Sequence, residues 1–258
     1  MRMFGPDDAD RASLVGHFRE HGWVAVNAVP AASRVQLPIW VDEVAALTPG
    51  EGEWMQHFER TDTGPTLCRS ENFVPFHAQL RALLTEGAVP EIAGSLLGEP
   101  AVLYKEKVNY KASGGAGYSP HQDAPAYPLI ETHVSAMIAV DGSDVGNGCL
   151  EVVSGAHREL LPTDDRGCLT ADVVARLVWE PLPLTAGGTL WFHSLTPHRS
   201  GANPSNRARR ALYPTYNAAS EGDLRAAYYD AKRAAFAAAP TSDRAQVSLI
   251  GDFEGRPV

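Results

Sequence analysis

From residue 101 onward the chain is cut into short β-prone runs, "AVLYKEKVNYK", "HVSAMIAVD", "CLEVVSG", "EPLPL", "GTLWFHS" and "RRALYPTYN". Between them lie clusters rich in Gly, Pro, Asn and Asp, such as "ASGGAG", "DVGNG" and "GANPSN". Runs this short bury their apolar sides only by pairing with one another, so the pattern points to a β-sandwich or barrel. Residues 1–100 read differently. "DDADRASLVGHFREHG" opens on acidic residues, spaces Leu14, Val15 and Phe18 as a helix does, and stops at Gly22. "WVAVNAV" reads as a strand, and "ASRVQLPIWVDEVAAL" as a helix that Pro38 must start or kink. "FHAQLRALLTEG" and "PEIAGSLLG" read as two short helices, while Thr48 to Arg60 reads as a mobile loop. "ASEGDLRAAYYDAKRAAFAAA" closes the chain as a helix before a polar tail. With no repeat and no linker, residues 1–258 are expected to form one domain: a mainly helical region (1–100) packed on a β-core (101–218), then the C-terminal helix and tail (219–258).

Composition excludes some roles. With 31 acidic against 22 basic side chains the formal charge is −9, which repels an extended phosphate backbone, so no nucleic-acid partner is expected. Three dispersed cysteines, Cys68, Cys149 and Cys168, suit neither a disulfide framework nor a thiolate zinc site, and suggest a reducing, cytoplasmic setting. No apolar run approaches the ~20 residues of a bilayer span, and the N-terminus lacks a signal-peptide core. Oligomeric state leaves no signature.

Chemistry concentrates in "YSPHQDAPAY". If "PHQDA" borders a strand, His121 and Asp123, two apart, face one point with an imidazole and a carboxylate. An isolated H-x-D is usually an ordinary polar loop, so a third ligand is required. His198, near the end of the strand "LWFHS", supplies it best; His193 is the rival. Two histidines and one carboxylate form the facial set that leaves iron(II) open to a chelating cosubstrate and dioxygen. Eleven residues past His198, Arg209 offers a bidentate anchor for a carboxylate beside the metal. Arg207 shares its face by alternation, and Arg210 looks away.

Taken in order, "HQD", "NGCLEVVSGAHR" and "PHRSGAN...RARRALYPTYN" resemble the phytanoyl-CoA dioxygenase family of iron(II)- and 2-oxoglutarate-dependent oxygenases, over about residues 100 to 235. The resemblance implies a double-stranded β-helix, or jelly-roll, with iron at its open end. Iron(II), 2-oxoglutarate and O2 are the implied cofactors. His121, Asp123 and His198 match the metal ligands, which would also be the catalytic centre, and Arg209 and Ser200 match the residues that hold the distal carboxylate of 2-oxoglutarate. Met137 stands where the family often has a tryptophan beside the cosubstrate, and Lys107 where some members carry a methionine. Asp123 separates the chain from related halogenases, in which a small residue replaces the acid. "LYKEKVNYK", "GGAGYSPHQDAPAY" and "YNAASEGDLRAAYYDAKR" are similar to a bacterial branch that includes natural-product tailoring enzymes and organophosphonate oxygenases. The first expectation is tailoring, by hydroxylation or ring closure, of a sugar-containing or amino-bearing metabolite. Organophosphonate hydroxylation is the alternative, and a non-oxidative barrel isomerase or metabolite-binding protein is more remote.

Candidate substrate contacts follow from alternation. Lys105, Lys107 and Asn109 share one strand face; inward, the two lysines would call for an anion, and outward they would be solvated, with both orientations open. Asn217 shares Arg209's face with Thr215. Tyr118, Gln122 and Tyr127 flank the metal motif, and Arg69 lies in a segment that in the branch closes over the site, with an ion pair to Glu71 as the plain alternative.

Overall fold

The computed structural model describes residues 1–6, 8–239 and 246–258, with the side chains of 8–10 left aside. The acidic start of the first helix (Asp7, Asp8, Asp10) and residues 240–245 of the expected tail therefore fall outside the described groups. In chain order the elements are β1 (Met3–Phe4), α1 (Asp8–His21), β2 (Trp23–Val26), α2 (Ala31–Ala45), β3 (Met55–Thr61), β4 (Gly64–Glu71), α3 (Ala78–Thr85) and α4 (Ala88–Leu97). There follow β5 (Ala101–Lys111), β6 (Tyr118–His121), β7 (His133–Ala139), β8 (Leu150–Val152), α5 (Ala171–Val174), β9 (Glu180–Pro181), β10 (Thr189–His193), β11 (His198–Ser200), β12 (Arg209–Ala218) and α6 (Arg225–Ala238).

The described strands make an eight-stranded sheet, ordered β1-β2-β10-β7-β12-β5-β4-β3, and a four-stranded sheet, ordered β6-β11-β8-β9. Strand pleating explains why the large sheet is buried on both sides. Val24 and Val26 of β2, Val134, Ala136 and Ile138 of β7, Trp191 of β10 and Leu212 and Tyr216 of β12 face the helices, joining Leu14, Phe18, Leu37, Val41 and Ile92 in one core. Their alternates Ala25, Met137, Ala139, Leu190, Phe192, Ala211 and Tyr213 face inward, where they meet Leu150 and Val152 of the small sheet. Two sheets sharing one interior form the jelly-roll, and the helices close its outer face.

Helix boundaries follow local chemistry. Gly22 ends α1 at φ 81°, and a Cβ there would fall 2.5 Å from the His157 ring, so both backbone and space demand glycine. Pro38 lies inside α2, neither starting nor ending it.

One expectation needs correction. The loop expected to reach Arg60 stops at Trp54, because Met55–Thr61 is strand β3, hairpinned to β4. Its sequence "MQHFERT" carries too little apolar alternation to read as a strand. What holds it is pairing: β4 adds to β5, β3 adds to β4, and the C-terminal tail covers β3 through Arg60 N–H to Arg256 O (2.8 Å) and Val258 N–H to Phe58 O (2.9 Å). The described part of the tail also covers β6, with Ser119 N–H donating to Asp252 O at 2.7 Å and Glu254 N–H to Gly117 O at 3.1 Å.

Helix α6 is tied to the large sheet by buried charge. Lys232 Nζ donates to both oxygens of Glu71 at 2.6 and 2.7 Å, and Arg225 pairs with the fully buried Glu106. Burial opposes ionisation of Glu71, but Lys232, Arg69 and His57 outweigh it and hold the carboxyl well below its usual range. Replacing Lys232→Met strands that carboxylate with Arg69 at 3.6 Å as its nearest strong cation. The variant should lose about 3–5 kcal/mol of stability, read as a lowered urea midpoint with an unchanged slope.

A candidate metal centre and its adjoining cavities

His121 closes β6, but Asp123 does not continue the strand. Its backbone is helical (φ −73°, ψ −26°) at the start of a 3-10 turn, Ala124–Ala126, so the turn and not strand alternation brings its carboxylate round. His198 likewise starts its own strand, β11, and does not end the preceding one. Antiparallel register sets it directly opposite His121, with ring centroids 4.2 Å apart. Asp123 Oδ1 lies 3.7 Å from His121 Nε2 and 3.9 Å from His198 Nε2. One donor atom from each residue falls within 4.8 Å of the others, a group unique among the described residues.

The donor chemistry fits a divalent metal. His121 Nδ1–H donates to Ser119 O (2.7 Å) and His198 Nδ1–H to Thr196 O (2.9 Å), which leaves both Nε2 lone pairs free. Burial brings the His198 imidazole down to about 4, keeping it neutral. Burial works against the Asp123 carboxylate, yet His198, Lys105 and Lys107 hold its pKa well below the usual range. Ser135 Oγ donates to Asp123 Oδ2 at 3.2 Å, and Thr215 Oγ1 stands 2.8 Å from Ser135 Oγ, so the carboxylate is oriented from behind. His193 lies elsewhere: it ends β10, accepts Leu195 N–H on Nδ1 (3.0 Å) and packs against His157.

Two adjoining cavities open beside these donors, sharing Lys105, Lys107, Asp123 and Asp252. The first is walled by Asn109, Tyr118, Leu150, Phe192, Ser200 and Tyr213, the second by Arg69, Tyr127, Tyr228 and the tail residues Ser248–Ile250. Lys105 and Lys107 thus face inward, which settles the orientation that alternation left open. Neither has a carboxylate within ion-pair distance among the described residues; their Nζ atoms sit over the rings of Tyr127 (4.6 Å) and Tyr213 (5.5 Å). Burial first, then the like charge of Lys107, takes Lys105 well below the ammonium range; burial and Arg69 bring Lys107 down to about 8.

Arg209 is 1% exposed, with Nε and Nη1 unpartnered, and no described carboxylate pairs with it. Arg207 instead pairs with Asp144 at the surface and Arg210 with Asp141 and Asp42. Arg209 is not in the lining of either cavity; Ser200 is in the first. Its cross-strand partner Lys111 donates to Ser200 Oγ (2.9 Å) and is brought down to about 6 by burial and by Arg209.

Besides Arg209, three expected contacts are not in the cavity walls. Gln122 is consumed in structure, donating to Glu159 O and Leu195 O and accepting Leu161 N–H. Asn217 donates to Ala218 O and Gly222 O, beyond the bulge between Thr215 and Tyr216. Met137 packs among the inward apolar residues behind Phe192 and Leu150. Arg69 does pair with Glu71 (3.6 Å), and also donates from Nε to Asn109 and from Nη1 to Val247 O and Ser248 Oγ, leaving Nη2 unpartnered at the second cavity. Sequence reasoning missed Ser135 and Asp252. A polar residue among the apolar ones of "HVSAMIAV", on the inward face with His133, marked the former; nothing local marked the latter.

The family model for phytanoyl-CoA dioxygenase (PhyH) matches residues 18–211. A methylphosphonate hydroxylase from Gimesia maris is 47% identical over 249 residues, covering 95% of this chain and 96% of that protein. A 2-aminoethylphosphonate dioxygenase from the uncultured bacterium HF130_AEPn_1 is 40% identical over 202 residues, covering 76% and 77%. Among solved structures, the non-heme alpha ketoglutarate dependent epimerase SnoN from nogalamycin biosynthesis superposes with a TM-score of 0.68 at 26% identity, covering 83% of this chain and 85% of that one.

The geometry makes the two histidines separable. His198→Ala should lose stoichiometric ferrous or nickel binding in equilibrium dialysis, whereas His193→Ala should retain it. The reverse result would move the third ligand to His193.

Proposed function

The chain belongs to the phytanoyl-CoA dioxygenase family and is a dioxygenase of the iron(II)- and 2-oxoglutarate-dependent kind; from this premise we propose that it hydroxylates a C–H bond of a small organophosphonate. The observation that carries the substrate class is the pair Lys105, buried, and Lys107, half-buried, which line both cavities beside the metal donors with no carboxylate within ion-pair distance among the described residues. Desolvation and mutual repulsion make two such ammonium groups costly, and a phosphonate dianion relieves both. Both relatives carry phosphonate names, which supports this reading over the natural-product tailoring expected first.

His121, Asp123 and His198 would hold iron(II) through two neutral Nε2 atoms and one carboxylate, their orientation set by Ser119 O, Thr196 O and Ser135 Oγ. Bound iron and 2-oxoglutarate supply the oxidising power: O2 and the cosubstrate become succinate and CO2, and one substrate C–H becomes C–OH. Arg209, charged, buried and short of partners, suits the distal carboxylate of the cosubstrate, with Ser200 held toward the cavity by Lys111. Leu150, Phe192 and Tyr213 keep water from the reacting carbon, while Lys105 and Lys107 hold the phosphonate so that its neighbouring carbon faces the donors. Asn109, Tyr118, Tyr127 and Arg69 complete the walls.

With ferrous iron, 2-oxoglutarate and ascorbate, methylphosphonate or 2-aminoethylphosphonate should stimulate succinate release well above the uncoupled rate; no stimulation by any small phosphonate would sink the substrate assignment. Arg209→Ala should raise the 2-oxoglutarate KM, and Lys107→Met the phosphonate KM, each by tenfold or more. Because Lys107 binds the anion only when protonated and its pKa is drawn down to about 8, the phosphonate KM should rise as pH climbs through about 8 and stay low below it. Lys107→Met should remove that inflection.

A further inference from the structure

The cavities beside the lysines also contain a carboxylate that Arg69 and Lys107 influence from a distance but that has no lysine or arginine within ion-pair distance among the described residues. Asp252 comes from the C-terminal tail, is 3% exposed, and lines both cavities. Its backbone is pinned by Ser119 N–H against the strand that ends in His121. Its Oδ2 lies 3.5 Å from His121 Nε2, and its Oδ1 has no hydrogen-bond partner. His121 cannot neutralise it while Nε2 is committed to a metal, and the carboxylate is not in the group of donors that close on one point. No described lysine or arginine approaches it within ion-pair distance. Glu71, a further acid in the second cavity's wall, is already taken by Lys232 and Arg69. A buried carboxylate that faces a ligand space with one oxygen unpartnered and no lysine or arginine at ion-pair distance can be paired by a cation on the ligand.

Resting on the phosphonate reading, we propose that Asp252 receives an ammonium group carried one or two carbons from the phosphonate, and so selects zwitterionic aminoalkylphosphonates over plain alkylphosphonates. The charge layout fits such a molecule. Lys105 and Lys107 attract the anionic end from β5 and Asp252 attracts the cationic end from the tail, and all three line the cavities that the metal donor Asp123 also lines. Selection has a physical basis on both sides, since a ligand without the ammonium leaves the Asp252 carboxylate desolvated and unpaired. The inference also separates the two chemistries that the relatives' names carry, because methylphosphonate has no cation to offer.

The test compares 2-aminoethylphosphonate, its near-isostere propylphosphonate, and methylphosphonate, by titration calorimetry on the iron-free protein and by succinate release from the loaded enzyme. The wild-type chain should bind 2-aminoethylphosphonate at least tenfold tighter than propylphosphonate. Asp252→Asn should lower the ratio of kcat/KM for 2-aminoethylphosphonate to that for propylphosphonate by tenfold or more, with the same loss in the calorimetric ratio. If the wild type binds and oxidises all three equally, the inference is overturned and the phosphonate reading stands. If none of the three binds or stimulates succinate release, both fall. An Asp252→Asn variant that loses iron affinity while the substrate ratio holds would make Asp252 a metal-positioning residue and overturn the inference. The wild-type comparison decides the matter even where the variant does not fold.

Discussion

Everything in this molecule depends on a sheet that is buried on both faces. The pleat sends neighbouring residues of β5, β7, β10 and β12 to opposite sides, and most residues on both sides are buried. Val134, Ala136 and Ile138 bind the sheet to the helices; Ser135, between the first two, reaches the interior and orients Asp123. Lys105 and Lys107 are alternate residues of one strand whose intervening Glu106 is locked to Arg225 on the helical side. Function and stability are therefore interleaved residue by residue. A one-residue slip in register would exchange them.

Burial makes charge in the interior a matter of strict pairing. Where the fold needs a charge it provides the partner: Glu71 has Lys232 and Arg69, and Glu106 has Arg225. Where partners are missing, the groups border the ligand space, as do Lys105 and Lys107, the Arg69 Nη2 and the Asp252 carboxylate, or extend from a strand that lines it, as does the Arg209 guanidinium. The contrast between satisfied and unsatisfied charges marks the site more sharply than cavity size does. It also explains the pKa pattern, in which desolvation is the leading influence on Lys105, Lys107 and Lys111.

Much of this was legible in the chain because it is carried by local spacing. Short runs parted by turn residues gave away a β-core, and the alternation of "LYKEKVNYK" put Lys105 with Lys107. What alternation could not tell was which face points inward, since both faces of the strand carry charge and both are buried. Hairpin β3–β4 escaped notice because its strands are polar and owe their form to pairing with β5 and the tail. Gln122 and Asn217 looked like site residues from their neighbours in sequence, yet backbone groups brought from residues 159, 195 and 222 consume their amides.

By itself, the sequence determined which residues could serve: an H-x-D pair, a distant histidine, an arginine eleven residues on, and paired lysines on one strand face. These are chemical identities and short-range spacings, which a chain carries whatever its fold. Only the tertiary structure decided that His198 stands across from His121, that Asp123 arrives by a turn, and that the tail lays Asp252 beside them. The reason is that register between strands eighty residues apart, and the return of a tail from beyond residue 245, come from the free energy of burying the whole sheet. No local pattern encodes that energy.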